Sequence, residues 1–143
     1  MTYPNPYLQS LDQEVLTADP THLVLLLLRG ARQSAEEARH AVRRGQIRQR
    51  AEAVSRAVER LAELCRNLDF ARGGEVAGRL AQLYDYMIYR LNEANMQQTE
   101  APLAEVSELL MPLIEAWSEM ESAAVNAPVQ ALECPGVAMD LCA

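Results

Sequence analysis

The feature that most constrains the fold of this chain is a succession of four long amphipathic stretches separated by helix-breaking residues. Within each stretch, apolar side chains recur at alternating intervals of three and four residues, which places them on one core-facing seam of an α-helix. The predicted seam residues include Ile47, Val76, Leu80, Leu113, Trp117 and Met120. The stretches run from Pro20 to about Arg44, from Ile47 to Leu68, from just after Gly73-Gly74 to about Ala94, and from near Pro102 to Met120. Because the connections are short, consecutive helices should be antiparallel. The sequence therefore predicts an all-α fold, an antiparallel four-helix bundle.

Residue types with known positional preferences mark the predicted helix ends. Pro20 suits the first helical position, where its missing N–H costs no hydrogen bond, and Asp19 can cap the free N–H groups. Gly45 is a candidate for the left-handed residue that ends the first helix. Pro112 lies inside the fourth helix, which we expect to bend there because proline removes one backbone hydrogen bond.

Two shorter segments flank the bundle. The sequence thus predicts three regions: an N-terminal segment 1–18, the bundle 19–123 and a tail 124–143. The N-terminal segment carries one short helical stripe, formed by Tyr7, Leu11 and Val15, and is too brief to be a stable helix alone. The tail is apolar but interrupted by prolines, so we expect it to be irregular or to form an extra short helix.

Charge, hydropathy and cysteine content exclude several classes of function. The formal net charge of −7 argues against non-specific binding to nucleic acid or to an anionic membrane surface. The apolar run from Leu23 to Leu28 is far shorter than the roughly 20 residues that cross a bilayer, and the first residues lack a secretory signal pattern. Three cysteines without closely spaced partners suggest neither a disulfide framework nor a zinc site. We therefore expect a cytoplasmic protein without membrane insertion, bound metal or cofactor.

The same apolar run shows that the bundle has more apolar surface than one core-facing stripe needs. Leu28 points toward the core, whereas Leu25 and Leu26 lie more than roughly 100° away from that direction. In the third helix, Tyr86 and Tyr89 fall roughly 110° to 170° off the core seam. Together these residues predict a second apolar surface, separate from the core. The alternative is that the N-terminal segment or the tail simply covers it.

The basic residues are distributed unevenly along the chain. Eleven of the thirteen arginines lie between Arg29 and Arg72, and no basic residue follows Arg90. Arginines on exposed helix faces are most simply solvated, or paired for little energy. The alternative is a charged surface that steers a partner.

Candidate catalytic groups are few. Glu37 and His40 have the spacing that places a carboxylate and an imidazole on one helical face, as in carboxylate-bridged di-metal bundles. That site needs a second such pair, and the only other histidine, His22, has no matching glutamate. A histidine phosphotransfer or signalling bundle centred on His40, with Arg43 or Arg44 steadying the phosphate, is the alternative function. No phosphate-binding loop or activated nucleophile is recognisable, so we expect no enzyme.

Three groups of residues form a more specific pattern. They are TADP followed by LLLLRGA, the block GGEVAGRLAQLYDYMIYRLNEAN from Gly73 to Asn95, and EVSELLMPLIEAW ending at Trp117. The pattern resembles the flagellar secretion chaperones of the FliS family, most specifically in the double glycine, LYDYM and RLxEAN of the central block. The likeness covers Tyr3 to about Trp117, and the tail after about Ala123 has no counterpart.

The resemblance implies a cytoplasmic bundle that binds the disordered C-terminal segment of newly made flagellin, prevents premature polymerisation and helps deliver flagellin to the flagellar export gate. The partner-binding groove would be formed or bordered by Leu25, Leu26, Leu28, Tyr86 and Tyr89. The family also implies that the N-terminal segment covers part of this surface when no client is bound. The internal competitor would then consist of Tyr3, Tyr7 and Leu11. A helical scaffold that only forms a homodimer through the same surface is a further alternative.

Overall fold

The structure, a computed structural model, describes residues 20–126 as four α-helices joined by connections of two or three residues. The helices are α1 Pro20–Arg44, α2 Ile47–Arg66, α3 Phe70–Gln97 and α4 Ala101–Asn126. α1 packs against α2 and α4, and α3 packs against the same two helices, so the four form a square in cross-section. The short connections make neighbouring helices antiparallel. The predicted all-α bundle is confirmed. Over residues 20–126, none of the helices has the length of apolar sequence that a bilayer crossing requires.

The connection between α1 and α2 follows from local sequence. Gly45 has a φ of 67°, and its N–H donates to the carbonyl of Val42 at 3.1 Å. The N–H of Gln46 donates to the carbonyl of Ala41 at 2.9 Å. This Schellman arrangement satisfies carbonyls that the last helical turn leaves free, so the predicted role of Gly45 is confirmed. Asp19, the predicted cap of α1, lies outside the described residues.

The start of α3 differs from the prediction. The helix begins at Phe70, where the side chain of Asp69 accepts a hydrogen bond from the backbone N–H of Arg72 at 3.1 Å. Aspartate is a strong N-cap and starts the helix before the glycine pair is reached. Gly74 instead breaks the helix internally, with a φ of 50° and a ψ of −121°. Glycine tolerates this backbone conformation because it has no Cβ.

The core runs along the bundle axis and is uneven in side-chain size. α1 and α2 contribute many alanines, whereas α3 and α4 contribute larger side chains. Its fully buried members include Leu28, Ala31, Ala35 and Ala38 of α1, Ala57 and Leu61 of α2, Tyr84, Met87 and Leu91 of α3, and Leu103, Val106 and Leu110 of α4. Three residues predicted for the core seams, Ile47, Val76 and Met120, are instead 61%, 64% and 48% exposed. Ile47 begins α2 and Val76 follows the break at Gly74, where neighbouring helices provide less cover.

A network of polar side chains connects α1 to α4. The Glu36 carboxylate accepts hydrogen bonds from Ser107 Oγ at 2.7 Å and from Arg39 Nη1 at 3.0 Å. Arg39 also pairs with Glu100 at 2.9 Å, and Arg43 binds the same carboxylate. Burial opposes ionisation of Glu36, but the hydrogen bonds from Ser107 and Arg39 outweigh it and lower the pKa of Glu36 below its ordinary 4.5. Glu36 is therefore ionised at neutral pH.

Gly74→Ala should destabilise the protein by about 1–3 kcal/mol, because a residue with a Cβ is strained in this backbone conformation. Gly78 lies four residues later in the same helix and has open space beside it. It is the matched control, and Gly78→Ala should stabilise the protein by about 0.5–1 kcal/mol. Urea unfolding followed by far-UV circular dichroism measures both changes. Equal effects of the two substitutions would contradict a special requirement for glycine at position 74.

Glu36→Gln should make the free energy of unfolding depend less on pH in the acidic range. Because the folded pKa of Glu36 lies below its unfolded value, its contribution is complete above about pH 4.5 and is lost as the pH falls through the folded pKa. The difference in unfolding free energy between wild type and variant should therefore shrink from about pH 7 to about pH 3. Glu108→Gln, at an exposed position of α4, is the control. A difference that stays constant across this range would exclude the proposed linkage.

Candidate functional site

The three leucines predicted on α1 lie on different faces of that helix. Leu28 is completely buried in the core. Leu25 is also completely buried, which corrects its predicted outer position. It shares a helical stripe with Glu36, eleven residues later, and Glu36 contacts Ser107 of α4. That stripe faces a second neighbouring helix, which a wheel drawn from one core direction does not reveal. Only Leu26 is half-buried.

Tyr86 and Tyr89 are both accessible on α3, as predicted. Their exposed fractions are 44% and 63%. The Tyr86 hydroxyl donates a hydrogen bond to the Glu105 carboxylate of α4, which also accepts one from Arg90 Nε at 3.2 Å. The hydrogen bond to Glu105 raises the pKa of Tyr86, because the carboxylate favours the protonated phenol. Tyr86 is therefore a neutral, positioned side chain where α3 meets α4.

The structure does not bring Leu26 together with these tyrosines. Leu26 lines a groove between α1 and α2, whereas Tyr86 contacts α4. In the square arrangement of the helices, the α1–α2 edge and the α3–α4 edge lie on opposite sides of the bundle. The five predicted partner-binding residues therefore divide into two buried leucines, one leucine on the α1–α2 edge, one tyrosine on the α3–α4 edge, and Tyr89, which is exposed on α3.

Half-buried apolar side chains are concentrated on α3 and α4. Each packs one side against the core and leaves the other accessible, and the two helices share the least extensive of the four interfaces. Together with the exposed apolar residues of the same helices they form what we call the α3–α4 surface. Its residues are Val76, Leu80, Leu83, Tyr86, Tyr89, Leu109, Leu113, Trp117 and Met120.

A cavity of about 210 Å³ lies at one end of the α3–α4 surface. Val76 and Leu80 of α3 and Trp117 of α4 line it. Val24 of α1, Leu64 of α2 and residues 67–69 of the α2–α3 connection complete the lining, so the cavity lies at the end of the bundle where all four helices meet. Tyr84 lies at its base and is only 1% exposed. Burial raises the pKa of Tyr84 to about 12, so the phenol stays neutral at any physiological pH. Mainly apolar walls of this size suit one apolar side chain of a partner.

Sequence reasoning assigned Leu80, Leu113 and Trp117 to the core seams and missed their accessible sides. One signal was present in α4, where apolar residues stand in adjacent pairs at Leu109-Leu110 and Leu113-Ile114. Adjacent residues point about 100° apart on a helix, so such pairs make the apolar arc wider than one neighbouring helix can cover.

Two of the groups considered for catalysis are engaged in ion pairs. Glu37 pairs with Arg56 of α2 at 2.8 Å, and Arg43 binds Glu100. His40 is exposed at the end of α1. Burial raises the pKa of the Cys65 thiol, which makes its thiolate scarce at neutral pH. Within residues 20–126, no three His, Cys, Asp or Glu side chains are grouped to hold a metal ion. The α3–α4 surface is therefore taken as the candidate site, and its side chains are suited to apolar binding.

Comparison with known proteins identifies the family. The family model of the flagellar protein FliS matches residues 3–124. The chain belongs to the FliS family. It is 39% identical over 108 residues to the flagellar secretion chaperone FliSB of Pseudomonas aeruginosa, an alignment that covers 76% of this chain and 86% of the relative. It is 36% identical over 112 residues to the flagellar secretion chaperone FliS of Salmonella typhimurium, covering 78% and 83%. The FliS of Bacillus subtilis is 29% identical over 119 residues, covering 83% and 88%.

The FliS match includes the N-terminal segment and ends within α4, so most of the tail lies beyond it. The predicted competitor residues Tyr3, Tyr7 and Leu11 and the tail after Asn126 lie outside the described residues. Their roles stay predictions.

Proposed function

We propose that this FliS-family protein is an export chaperone that binds the disordered C-terminal segment of flagellin in the cytoplasm. Binding keeps flagellin from polymerising prematurely and assists its delivery to a gate component of the flagellar type III export apparatus. The observation that carries the proposal is the α3–α4 surface, an accessible apolar strip with a cavity at one end, in a member of a family whose relatives are flagellar secretion chaperones.

The proposed mode of binding is an amphipathic client helix laid along the α3–α4 surface. From Val76 to Tyr89 the strip follows α3 for 13 residues, or roughly 20 Å at 1.5 Å per residue, which matches about four turns of a client helix. One apolar side chain of the client would enter the cavity beside Trp117. The hydrogen-bonded pair Tyr86 and Glu105 would form a polar rim that fixes the position of the client along the strip.

The free energy of such a complex depends on how much apolar surface it buries. Burial contributes about 25 cal/mol per Å², while ordering a disordered segment costs about 2–5 kcal/mol or more. Short apolar contacts therefore leave little net affinity, and a strip of several turns is needed.

Of the five residues predicted to bind the partner, Tyr86 and Tyr89 stay in the proposed site. Leu25 and Leu28 leave it because they are buried, and Leu26 leaves it because it lies on the opposite edge.

The point at which the N-terminal segment joins the bundle supports its proposed role as a competitor. The described chain begins at Pro20, about one helical turn before Val24, which lines the cavity. The segment 1–18 is thus tethered at the same end of the bundle, and a tethered competitor acts at a high effective concentration. If Tyr3, Tyr7 and Leu11 occupy the surface, only molecules with an uncovered surface bind the client. The apparent affinity for the client would then fall in proportion to the fraction of uncovered molecules.

Tyr89→Glu and Val76→Glu should each weaken binding of a flagellin C-terminal peptide by about tenfold or more, because they place a charge on the apolar strip. Ile47→Glu is the matched control, since Ile47 is also an exposed apolar residue, 61% accessible, but lies at the opposite end of the bundle. The single tryptophan, Trp117, lines the cavity, so its fluorescence reports occupation directly. Calorimetric titration gives the dissociation constants. Equal losses in all three variants, or none, would remove the α3–α4 surface as the client site.

Deleting residues 1–18 should tighten binding of the same peptide, because the internal competitor is removed while the bundle stays intact. The comparison needs matched circular dichroism and melting profiles for both proteins. A triple replacement of Tyr3, Tyr7 and Leu11 with serine in the full-length chain should reproduce the gain. Unchanged or weaker binding after deletion would exclude the competitor role.

A further inference from the structure

The α1–α2 edge carries a second groove, on the side of the bundle opposite the α3–α4 surface. Its volume is about 490 Å³, and its walls include Leu26, Arg29 and Gly30 of α1 and Arg56 and Arg60 of α2. Unlike the cavity beside Trp117, it is lined mainly by polar and charged side chains. The proposed client site uses none of these residues. Because the groove is polar and charged, it is suited to a different kind of partner.

The groove is locally basic within a chain whose formal net charge is −7. Of its three arginines, Arg56 is neutralised by Glu37 at 2.8 Å. Arg60 donates through Nη1 to the neutral hydroxyl of Ser34 at 2.8 Å, and neither Arg60 nor Arg29 forms an ion pair within residues 20–126. Two guanidinium groups therefore lack a carboxylate from this part of the chain.

Neighbouring carboxylates on α2 do not cancel this charge. Glu52, one turn before Arg56, is paired with Arg48 at 3.2 Å. Glu63, one turn after Arg60, forms hydrogen bonds with Arg66 and lies outside the groove lining. Glu59, next to Arg60, is exposed and forms no ion pair within residues 20–126, so it offsets part of the charge. A smaller local excess of positive charge therefore remains when the flanking acidic residues are included.

Gly30 sets the position of Arg60. A Cβ at Gly30 would lie 2.5 Å from Nε and 2.8 Å from Cδ of Arg60, so the arginine side chain crosses directly over bare helix backbone. Ser34, which is 2% exposed, holds the guanidinium from the other side. The arginine is thus fixed before any partner arrives, which reduces the side-chain entropy lost on binding.

We propose that this groove binds an acidic, amphipathic helix of a partner protein other than the flagellin client. Carboxylates one turn apart on that helix would pair with Arg29 and Arg60, for which planar guanidinium groups are well suited, and an apolar side chain would pack against Leu26. The lining of α1 from Leu26 to Glu37 spans about 16 Å, enough for three helical turns. Because the two edges are opposite, the chaperone binds client and acidic partner at the same time.

The test uses two fluorescent peptides of about 18 residues, with glutamates at i, i+4 and a leucine on one face, or with lysines in place of the glutamates. Fluorescence anisotropy with the full-length chain at low salt should show the glutamate peptide binding at least tenfold tighter than the lysine peptide. Its affinity should fall as salt is raised, because the contact is between partly exposed charges. Equal affinities, or no binding of the glutamate peptide, would overturn the proposal.

Gly30→Ala is the most specific variant, because alanine favours the helix but displaces Arg60. Gly30→Ala and Arg29→Gln should each weaken binding of the glutamate peptide by about tenfold, while the helical content of the protein is retained. Arg79→Gln, at a position 76% exposed on α3, is the matched control and should change affinity little. If Gly30→Ala and Arg29→Gln bind as tightly as wild type, the groove is not the site.

Two further measurements distinguish other occupants of the groove. Flagellin peptide affinity should be the same in wild type and Gly30→Ala, and a loss there would assign the groove to the client instead. Light scattering should give one molar mass for both proteins across the concentration range. Concentration-dependent self-association that Gly30→Ala abolishes would assign the groove to a second copy of this chain, whose own α4 carries glutamates and no basic residue. The loss of glutamate-peptide binding alone leaves the proposed flagellin function unaffected.

Discussion

Close packing of small side chains between α1 and α2 determines how the rest of the bundle is built. Ala31, Ala35 and Ala38 of α1 are fully buried, as is Ala57 of α2, and this pair of helices shares the most extensive interface. Helix separation depends on the side chains at the contact, so alanines allow a close approach. The first pair also buries leucines such as Leu28 and Leu61, but the largest buried side chain, Tyr84, comes from the other pair.

This division makes the two edges of the bundle chemically different. On the α3–α4 edge, large residues such as Leu113 and Trp117 fill the core with one side and expose the other. A partner that covers these residues would bury the apolar surface that this chain alone leaves exposed. On the α1–α2 edge the helices leave little apolar surface uncovered, and the outward positions carry arginines and glutamates. The same packing asymmetry thus provides an apolar strip on one side and a charged groove on the other.

Local features of the sequence predicted the helices well, because the signals that begin and end a helix act over a few residues. Gly45 ends α1 by a hydrogen-bond pattern that depends on its own backbone. The assignment of faces was less accurate, as Leu25 shows. Its burial depends on α4 lying beside α1, and helical periodicity within one segment does not say how many neighbours that helix has. The prediction for Val76 failed for a related reason. A helical wheel assumes an uninterrupted helix, whereas this helix is broken at Gly74, two residues before Val76.

The separation of Leu26 from the tyrosines has the same origin. Both were recognised as surplus apolar residues, and Tyr86 and Tyr89 are accessible, but only the order of helices around the bundle decides whether two surplus patches meet. That order comes from tertiary packing, which a single sequence does not display. The candidate client site therefore lies on α3 and α4 and not on α1. In α4, the adjacent apolar pairs were a weaker signal, because helical spacing alone assigns those residues to the core.

Opposite edges also allow the two proposed contacts to respond differently to their surroundings. Apolar burial on the α3–α4 surface is little affected by moderate salt, whereas pairing with exposed arginines such as Arg29 is screened within about 10 Å at 0.1 M ionic strength. Charge complementarity mainly raises the rate of encounter and selects the partner, while apolar burial mainly lengthens the life of a complex. A chaperone with both proposed contacts would retain its client on one edge for long periods and still exchange an acidic partner rapidly on the other. Because the two proposed sites share no lining residues, their binding free energies should be nearly additive. The different packing of the two helix pairs would thus let each proposed site act by its own interaction.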